Sequence, residues 1–459
     1  MFEPVESSVD AANAGGATEN ESSTSRLTRR ALLGKGLALG IGVSVGPWFL
    51  SACGSNSSSG SGSSGPVTIR FAALVDQTGE QTNEINRFND ANKNKIRVEY
   101  VELPPVATDQ YTKFVDTFKA KSSDLDVVQI DVTWPAQFAI PGWLAPIDKY
   151  ITADYLKQFW PSAVEVAKVN GKQYGIQRYM DIGMLYYRTD LVQKYGGGTP
   201  PATRADMEAM AQKILDGEKN SGIQYGYLFE GKKIEAVVDE WLEFLWGNGG
   251  DIGEPGKLKV NSDKGIEALN YMHDLIYKMK LSPEGTNTYA PNDALALFQD
   301  GKAPFMRNWT YAYALLNDPS KSKVAGKVGV APTLATPGNQ GHGCTGGWVL
   351  AISNFSKNKD AAWKFIDYML SKETQKSMSM NANLISSRPD VVNDPEVQAK
   401  VAYFKQLGTI LNTGKNRPKL QNYNQFTTPL QAALNSVLSN QGSAQDQLNA
   451  VQEQVGTLK

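Results

Sequence analysis

The chain has 459 residues, of which 41% are hydrophobic and 20% charged, the composition of a folded protein long enough for two or three domains. Its formal net charge is −1, and no long basic block lies in the body of the chain, which argues against a nucleic-acid partner. Two cysteines, Cys53 and Cys344, and two histidines exclude a disulfide framework and a Cys-based zinc site, and they leave little for His-dependent catalysis.

The beginning of the chain is arranged like an export signal. Arg29 and Arg30 precede an apolar region over residues 36–52, and this pair resembles the twin-arginine type of signal. A transmembrane helix is the alternative interpretation. The apolar run is short for a membrane span, rich in glycine and broken at Pro47, so the export signal is favoured.

The apolar region ends in "LSAC" at residues 50–53, which resembles a bacterial lipobox. In such signals the cysteine, here Cys53, carries acyl chains and becomes the first residue of the mature protein. A Ser/Gly stretch over residues 54–65 follows directly and predicts a flexible tether. We therefore predict an export signal with a lipobox over residues 1–53 and a protein that is anchored by lipid outside the cytoplasm.

Strand and helix patterns alternate from Pro66 onward. Apolar or alternating runs predict strands at 66–74, 96–103 and 125–132, and helical spacing predicts helices at 82–94 and 109–123. The third strand is almost continuously apolar, which is typical of a strand covered on both faces. This order predicts an α/β fold with a mostly parallel sheet.

Later segments read as helices, and no internal repeat or second Ser/Gly linker separates them. The predicted helices span 205–218, 234–250, 263–280, 360–379 and 429–455.

Four stretches combine aromatic and polar residues at the ends of predicted elements. Asp131 ends the third strand, Tyr179 and Asp181 lie in "YGIQRYMDIGMLYYRTDL", and Trp309 and Trp348 follow small or polar residues. Sugars fit such sites, because carboxylates bind their hydroxyls and aromatic rings contact their C–H faces. Each stretch also has a purely structural interpretation: a helix cap, a packed strand with an ion pair, or a glycine turn. A metal held by His342 and Cys344 lacks a third ligand nearby.

Several motifs occur in one order over about residues 67 to 440: "DVTWPAQFAIPGWLAPID", "YMDIGMLYYRTDL", "FMRNWTYAYALL", "GGWVLAIS" and "SSRPDVVNDPEV". Together they resemble the extracellular sugar-binding proteins of bacterial ABC importers, most closely the trehalose/maltose-binding branch. The resemblance implies a two-lobe periplasmic-binding-protein-like fold with a hinge and a sugar cleft between the lobes. It assigns lobe 1 to 66–174 plus about 325–375, and lobe 2 to 175–324 plus about 376–459.

The resemblance also implies a set of sugar-binding positions, carried over one by one. They are Asp131, Tyr179, Asp181, Asn308, Trp309, Gly346, Gly347, Trp348 and Arg388, together with Gln77 and the nearby Glu80 after the first strand. Asp131, Asp181 and Arg388 would bind hydroxyls, and Trp309 and Trp348 would stack on the sugar rings. Gln77 stands where the family has an acid.

The resemblance implies a membrane-tethered, monomeric subunit without enzymatic activity, cofactor or metal. It would capture trehalose or maltose and deliver it to the transmembrane permease subunits. Binding of another sugar or a sugar alcohol is one alternative. Another is a secreted glycoside hydrolase that uses paired carboxylates such as Asp131 and Asp181. A structural or adhesion lipoprotein would have no small-molecule cleft.

Overall fold

Two large β-sheets, one two-stranded sheet and the helices packed on them organise residues 65–459, the part of the chain that the computed structural model describes. The strands are β1 (Val67–Leu74), β2 (Ile96–Leu103), β3 (Val127–Asp131), β4 (Leu144–Ala145), β5 (Lys168–Val169), β6 (Lys172–Gln173), β7 (Gly175–Ile182), β8 (Met184–Arg188), β9 (Tyr227–Leu228), β10 (Phe305–Asn308), β11 (Val328–Ala331), β12 (Cys344–Ser353), β13 (Ile385–Ser386) and β14 (Lys415–Asn416). The predicted export signal, the lipidation of Cys53 and all but the end of the tether lie outside these described residues.

The helices of the described chain vary from one turn to more than four turns. They are α1 (Glu80–Ala91), α2 (Ala107–Lys119), α3 (Pro135–Ala139), α4 (Ala153–Leu156), α5 (Pro161–Glu165), α6 (Thr189–Gly196), α7 (Arg204–Gly217), α8 (Glu235–Gly247), α9 (Asp263–Tyr277), α10 (Pro291–Gln299), α11 (Ala312–Asn317), α12 (Lys359–Leu370), α13 (Lys372–Ala382), α14 (Pro389–Val392), α15 (Pro395–Lys400), α16 (Phe404–Asn412), α17 (Tyr423–Leu438) and α18 (Ala444–Val455). Between residues 65 and 459, none of them is both long and apolar enough to cross a membrane.

The first sheet has eight strands, with the main order β13-β7-β12-β3-β1-β2. β1 is parallel to β2 and β3, as the alternation of strands and helices predicts. The mostly parallel sheet is nevertheless wrong as a description of the whole, because β12 is antiparallel to both β3 and β7. The physical reason is the chain path. β7 leads out of this sheet and β12 brings the chain back in the opposite direction.

The second sheet has the order β11-β8-β10-β9, and β8 is antiparallel to both of its neighbours. β7 ends at Ile182 and β8 begins at Met184, so the chain passes from the first sheet to the second at Gly183. The N–H of Gly183 donates to the carbonyl of Cys344 at the start of β12 (3.0 Å). The two strands that connect the sheets are thus hydrogen-bonded to each other at this crossing.

Each sheet has its own apolar core. In the first, Phe71 and Phe88 pack edge-to-face against Phe365 of α12. In the second, α8 is buried along almost its whole length, and Trp241 lies in a core shared with α9, α17 and α18. This is the predicted two-lobe α/β architecture. The predicted residue bounds of the lobes stay predictions.

Two predicted helices are wrong as single helices. The segment 360–379 is divided at Ser371, whose extended backbone ends α12 and whose hydroxyl caps α13 by accepting from the N–H of Thr374. The segment 429–455 is divided between α17 and α18 by a turn in which Asn440 and Gly442 have positive φ angles.

Candidate functional site

A cavity of about 220 Å³ lies between the first sheet and the elements packed on the second sheet. Its charged lining consists of six carboxylates and two arginines: Asp76, Glu80, Asp131, Asp181, Glu235, Asp239, Arg178 and Arg417. Its aromatic lining is Tyr179, Trp309, Tyr311 and Trp348. β3, β7 and β12 contribute from the first sheet, and α8 and the segment after β10 contribute from the other side.

The structure brings most of the predicted sugar-binding residues to this cavity. Those that line it are Gln77, Glu80, Asp131, Tyr179, Asp181, Trp309, Gly346, Gly347 and Trp348. The remaining two predicted residues, Asn308 and Arg388, do not line it. A role in sugar binding stays a prediction for all eleven positions.

Asn308 and Arg388 are held by other parts of the protein. The Asn308 amide donates to the carbonyl of Pro291 (3.0 Å), and its oxygen accepts from the N–H of Trp309 (2.8 Å), so it orients the segment that carries Trp309. The Arg388 guanidinium donates to Asp390 (3.1 Å) and Gln158 (3.0 Å). These bonds direct the Arg388 side chain away from the cavity.

Asp181 offers one carboxylate oxygen to the cavity. Its Oδ1 accepts from the N–H of Ile182 (2.9 Å) and from both the N–H (3.0 Å) and the hydroxyl (2.6 Å) of Thr310. Its Oδ2 has no donor among residues 65–459. Burial raises the pKa of Asp181, and the bonds from Thr310 oppose that rise. Oδ2 is thus an acceptor available to a ligand.

Asp131, at the carboxyl end of β3, has a structural role as well as a place in the cavity. Its Oδ1 accepts from the N–H (2.8 Å) and hydroxyl (2.7 Å) of Thr133, which fixes the turn before α3. Arg417 Nη2 donates to both oxygens of Asp131, at 3.2 and 3.3 Å. Asp131 does not cap α3, whose N-cap residue is Trp134 without a side-chain hydrogen bond, and its contact with a ligand stays a prediction.

Arg417 is the main cavity residue that the sequence did not reveal. Besides Asp131 it donates to Glu235 Oε1 (3.0 Å), and its Nε lies 3.6 Å from Asp239 Oδ1. Glu235 and Asp239 belong to α8, so this buried guanidinium joins carboxylates on the two sides of the cavity. Its partners are far away in sequence, and a late "NRPK" stretch gives no local signal for such a position.

Trp348 and Trp309 supply ring faces from different sheets. Trp348, in β12, lies opposite Asp131 and Tyr179 and meets Trp134 edge-to-face at 6.0 Å. Trp309 follows β10 and lies so close to Gly346 that a Cβ there would be 3.1 Å from its ring. The small residues before Trp348 therefore make room for the second indole ring.

Arg178 lies against the first sheet at the inner wall of the cavity. It forms a buried ion pair with Glu84 and donates to Gln129 (3.0 Å) and Gln81 (2.5 Å). Burial raises the pKa of Glu84 to about 7, although Arg178 opposes the rise.

No arrangement of three His, Cys, Asp or Glu side chains suited to a metal occurs between residues 65 and 459. His342 Nδ1 contacts the carbonyl of Thr413 (2.7 Å), and the thiol of Cys344 donates to Asp239 (3.3 Å). Both side chains therefore have partners within the protein.

A two-lobe α/β fold with a polar and aromatic cavity between its lobes is the architecture of a solute-binding protein. The family model for bacterial extracellular solute-binding proteins matches residues 70–376. The chain is also 33% identical to a probable ABC transporter-binding protein of Deinococcus radiodurans, over 86% of this chain and 94% of that protein. The chain therefore belongs to the bacterial extracellular solute-binding proteins, a family of binding proteins rather than enzymes, with an extracytoplasmic location.

Solved structures show the same fold. Maltose-bound MalE3 of T. maritima superposes with a TM-score of 0.80 at 34% identity, covering 85% of this chain and 99% of that one. A ribitol-bound ABC transporter solute-binding protein of Agrobacterium radiobacter K84 has a TM-score of 0.76 at 25% identity, covering 85% and 98%. The predicted membership in the solute-binding family is confirmed, and the trehalose/maltose branch stays a prediction.

Proposed function

We propose that this protein is the substrate-binding subunit of an ABC sugar importer. It captures a glucose-containing disaccharide, trehalose or maltose, in the cavity between its lobes and delivers it to the transmembrane permease subunits. The observation that carries the proposal is the pairing of a free acceptor, Asp181 Oδ2, with two indole rings, Trp309 and Trp348, around one cavity. Carboxylates bind hydroxyls through charge-assisted hydrogen bonds, and aromatic faces pack on the apolar faces of pyranose rings.

The similar structures support a carbohydrate ligand and leave two classes to compare. The structure with the higher TM-score was solved with maltose, a cyclic disaccharide, and the other with ribitol, an acyclic polyol. Two ring faces on separate walls favour a ligand with two sugar rings. A sugar alcohol is therefore the competing ligand in the experiment below.

Thermal unfolding of the purified protein with trehalose, maltose, sucrose, glucose, mannitol and ribitol tests the proposal. A ligand at about 1,000 times its Kd stabilises the folded state by roughly 4 kcal/mol, which raises Tm by a few degrees. We expect this shift with trehalose or maltose. A shift with the polyols alone would assign the protein to sugar alcohols, and no shift with any compound at millimolar concentration would overturn the proposed function.

Two variants connect the shift to the cavity. Trp348→Ala removes a ring face and Asp181→Asn removes a charge without changing shape, so each is expected to weaken sugar binding about tenfold or more in calorimetric titration. Arg388→Lys is the matched control, because Arg388 does not line the cavity. Unchanged affinity in both cavity variants would place the ligand elsewhere.

We further propose that the protein is a monomer held at the membrane by acyl chains on Cys53. The "LSAC" sequence and the Ser/Gly stretch after it support this. Metabolic labelling with a radioactive fatty acid is expected to mark the wild-type protein and not Cys53→Ser. Equal labelling of the two would exclude this anchor.

A further inference from the structure

Beneath the cavity lies a buried group of charged residues that do not line it: Arg307, Glu230, Glu240 and Glu243, here called the Arg307 cluster. None of them is more than 3% exposed. Glu243 binds the guanidinium with both oxygens, from Nε (2.9 Å) and Nη2 (2.6 Å), while Glu230 accepts from Nη1 (2.8 Å). Glu240 Oε1 lies 3.8 Å from Nε. These bonds fix the plane of the guanidinium from several sides.

The guanidinium plane supports a ring that faces the cavity. Arg307 Cζ lies 4.1 Å from the centre of the Trp309 ring, which is the geometry of a cation–π contact. Trp309 lines the cavity and is only partly buried. Its ring also lies against Gly346, where a Cβ would come within 3.1 Å. The Trp309 ring is therefore packed between the Arg307 guanidinium and the backbone of Gly346.

The same cluster contacts the place where the chain crosses between the sheets. Glu243 Oε1 accepts from the N–H of Cys344 (2.8 Å) at the start of β12. A Cβ on Gly183 would collide with Glu243 Oε1 and with Arg307 Nη2, so the ion pair fills the space that this glycine leaves. The cluster is thus fixed to both connecting strands.

We propose that Arg307, held by Glu243, is a positioning residue. It fixes the Trp309 ring for stacking on the ligand and anchors this ring to the place where the chain crosses between the two sheets. This rests on the proposed sugar-binding function. A buried ionic cluster is weak as a source of stability, because packed apolar side chains of similar volume often stabilise a fold as well. The planar contact of Arg307 with the Trp309 ring gives this cluster a role that an apolar group or a lysine would not supply.

A double-mutant cycle tests the proposal in the full protein. Sugar affinity is measured by calorimetry for wild type, Arg307→Lys, Trp309→Leu and the double variant. We expect Arg307→Lys to weaken binding about tenfold, and to change it less than about twofold when Trp309 is already leucine. Additive effects of the two substitutions, or unchanged affinity in Arg307→Lys, would overturn the proposal.

Arg204→Lys is the matched control for general loss of stability. Arg204 is also buried and stacked, 4.9 Å from the ring of Phe244 and 4.7 Å from that of Tyr271, but it does not line the cavity. Both lysine variants should lower Tm, while only Arg307→Lys should lower affinity. An equal loss of affinity in Arg204→Lys would mean that binding follows stability, against the proposal.

Two further measurements keep the test decisive. If Arg307→Lys does not fold, Glu243→Gln replaces it in the same cycle, because it keeps the shape and removes one charged contact. If the wild type binds no sugar, the proposed function fails, and near-UV circular dichroism of the ligand-free protein decides this inference instead. Arg307→Lys should change the tryptophan bands of the wild type and not those of Trp309→Leu, and an equal change in both would contradict the positioning role.

Discussion

Two buried arginines beside the cavity have very different surroundings. Arg178, against the first sheet, is paired with one carboxylate, Glu84, and its other partners are the neutral amides of Gln81 and Gln129. Arg307, against the second sheet, is surrounded by three glutamates. Arg178 therefore balances the charge of one glutamate, whereas Arg307 donates to two glutamates and lies near a third, so more buried carboxyl groups depend on Arg307. Similar depth of burial therefore does not mean similar dependence on the buried cation.

Removal of each arginine gives the largest expected difference. Arg307→Met leaves Glu243 and Glu230 without the buried donor from which both accept, which is expected to lower the free energy of unfolding by about 3–5 kcal/mol. Arg178→Met leaves one buried carboxyl group, Glu84, and without the opposing effect of Arg178 burial holds its pKa higher still and favours its neutral form, so a smaller loss of about 1–3 kcal/mol is expected. Urea unfolding followed by circular dichroism at pH 7.5 measures both values. An equal or larger loss in Arg178→Met would refute this reading of the two environments.

The pH dependence of stability is the next effect in size. Burial raises the folded-state pKa of Glu84 from 4.5 to about 7, so its contribution to stability is fully present below pH 4.5 and is lost as the pH rises through 7. Between pH 5.5 and 8 this group should change the free energy of unfolding by about 2 kcal/mol, in favour of the lower pH. Glu84→Gln should remove this contribution to the pH dependence, whether the variant itself is more or less stable than the wild type.

Burial also raises the pKa of Glu230 and of Glu240, so the Arg307 cluster contributes in the same direction. Urea unfolding at both pH values compares wild type with Glu84→Gln and Glu230→Gln, and each variant should remove only part of the dependence. Glu99→Gln, at an exposed position of β2, is the control and should leave it intact. A wild type that is less stable at pH 5.5 than at pH 8 would contradict the assignment of protons to these sites.

Local sequence patterns predict those features of the fold and of the site that depend on neighbouring residues in the chain. The unbroken apolar run of β3 predicts a covered strand, and Asp131 at its end lies in the cavity because strand ends meet there. The division of 360–379 also has a local signal: Ser371 is a preferred N-cap residue, and the acidic Glu373 follows it in the first turn of α13.

Features set by distant contacts were not predictable in this way. The direction of β12 follows from the path of the chain between the sheets and not from its own residues. The resemblance predicts Arg388 as the late arginine of the site, whereas Arg417 is the late arginine that lines the cavity. Arg417 is selected by Asp131, 286 residues away, and Glu235, 182 residues away, and no local pattern can supply those partners.

The smallest predicted effect is on sugar affinity, and it distinguishes Arg417 from Arg388. Arg417→Lys keeps the charge but loses the fork that binds Asp131 and Glu235 together, so we expect sugar affinity to fall about tenfold. Arg388→Lys should change affinity by less than about twofold, because Asp390 and Gln158 hold this side chain outside the cavity.

Calorimetric titration of both variants with the sugar that gives the largest thermal shift measures the difference. Because Arg417 contacts carboxylates from β3 and from α8, its loss should also lessen the ligand-induced compaction seen by small-angle X-ray scattering, while Arg388→Lys should compact like the wild type. An equal loss of affinity in the two variants would contradict the choice of Arg417 over Arg388, and compaction like that of the wild type in Arg417→Lys would mean that the two sides of the cavity do not depend on Arg417 for their connection. Arg178, with its one glutamate partner, and Arg307, with three glutamates around it, would then belong to two regions that act independently in binding.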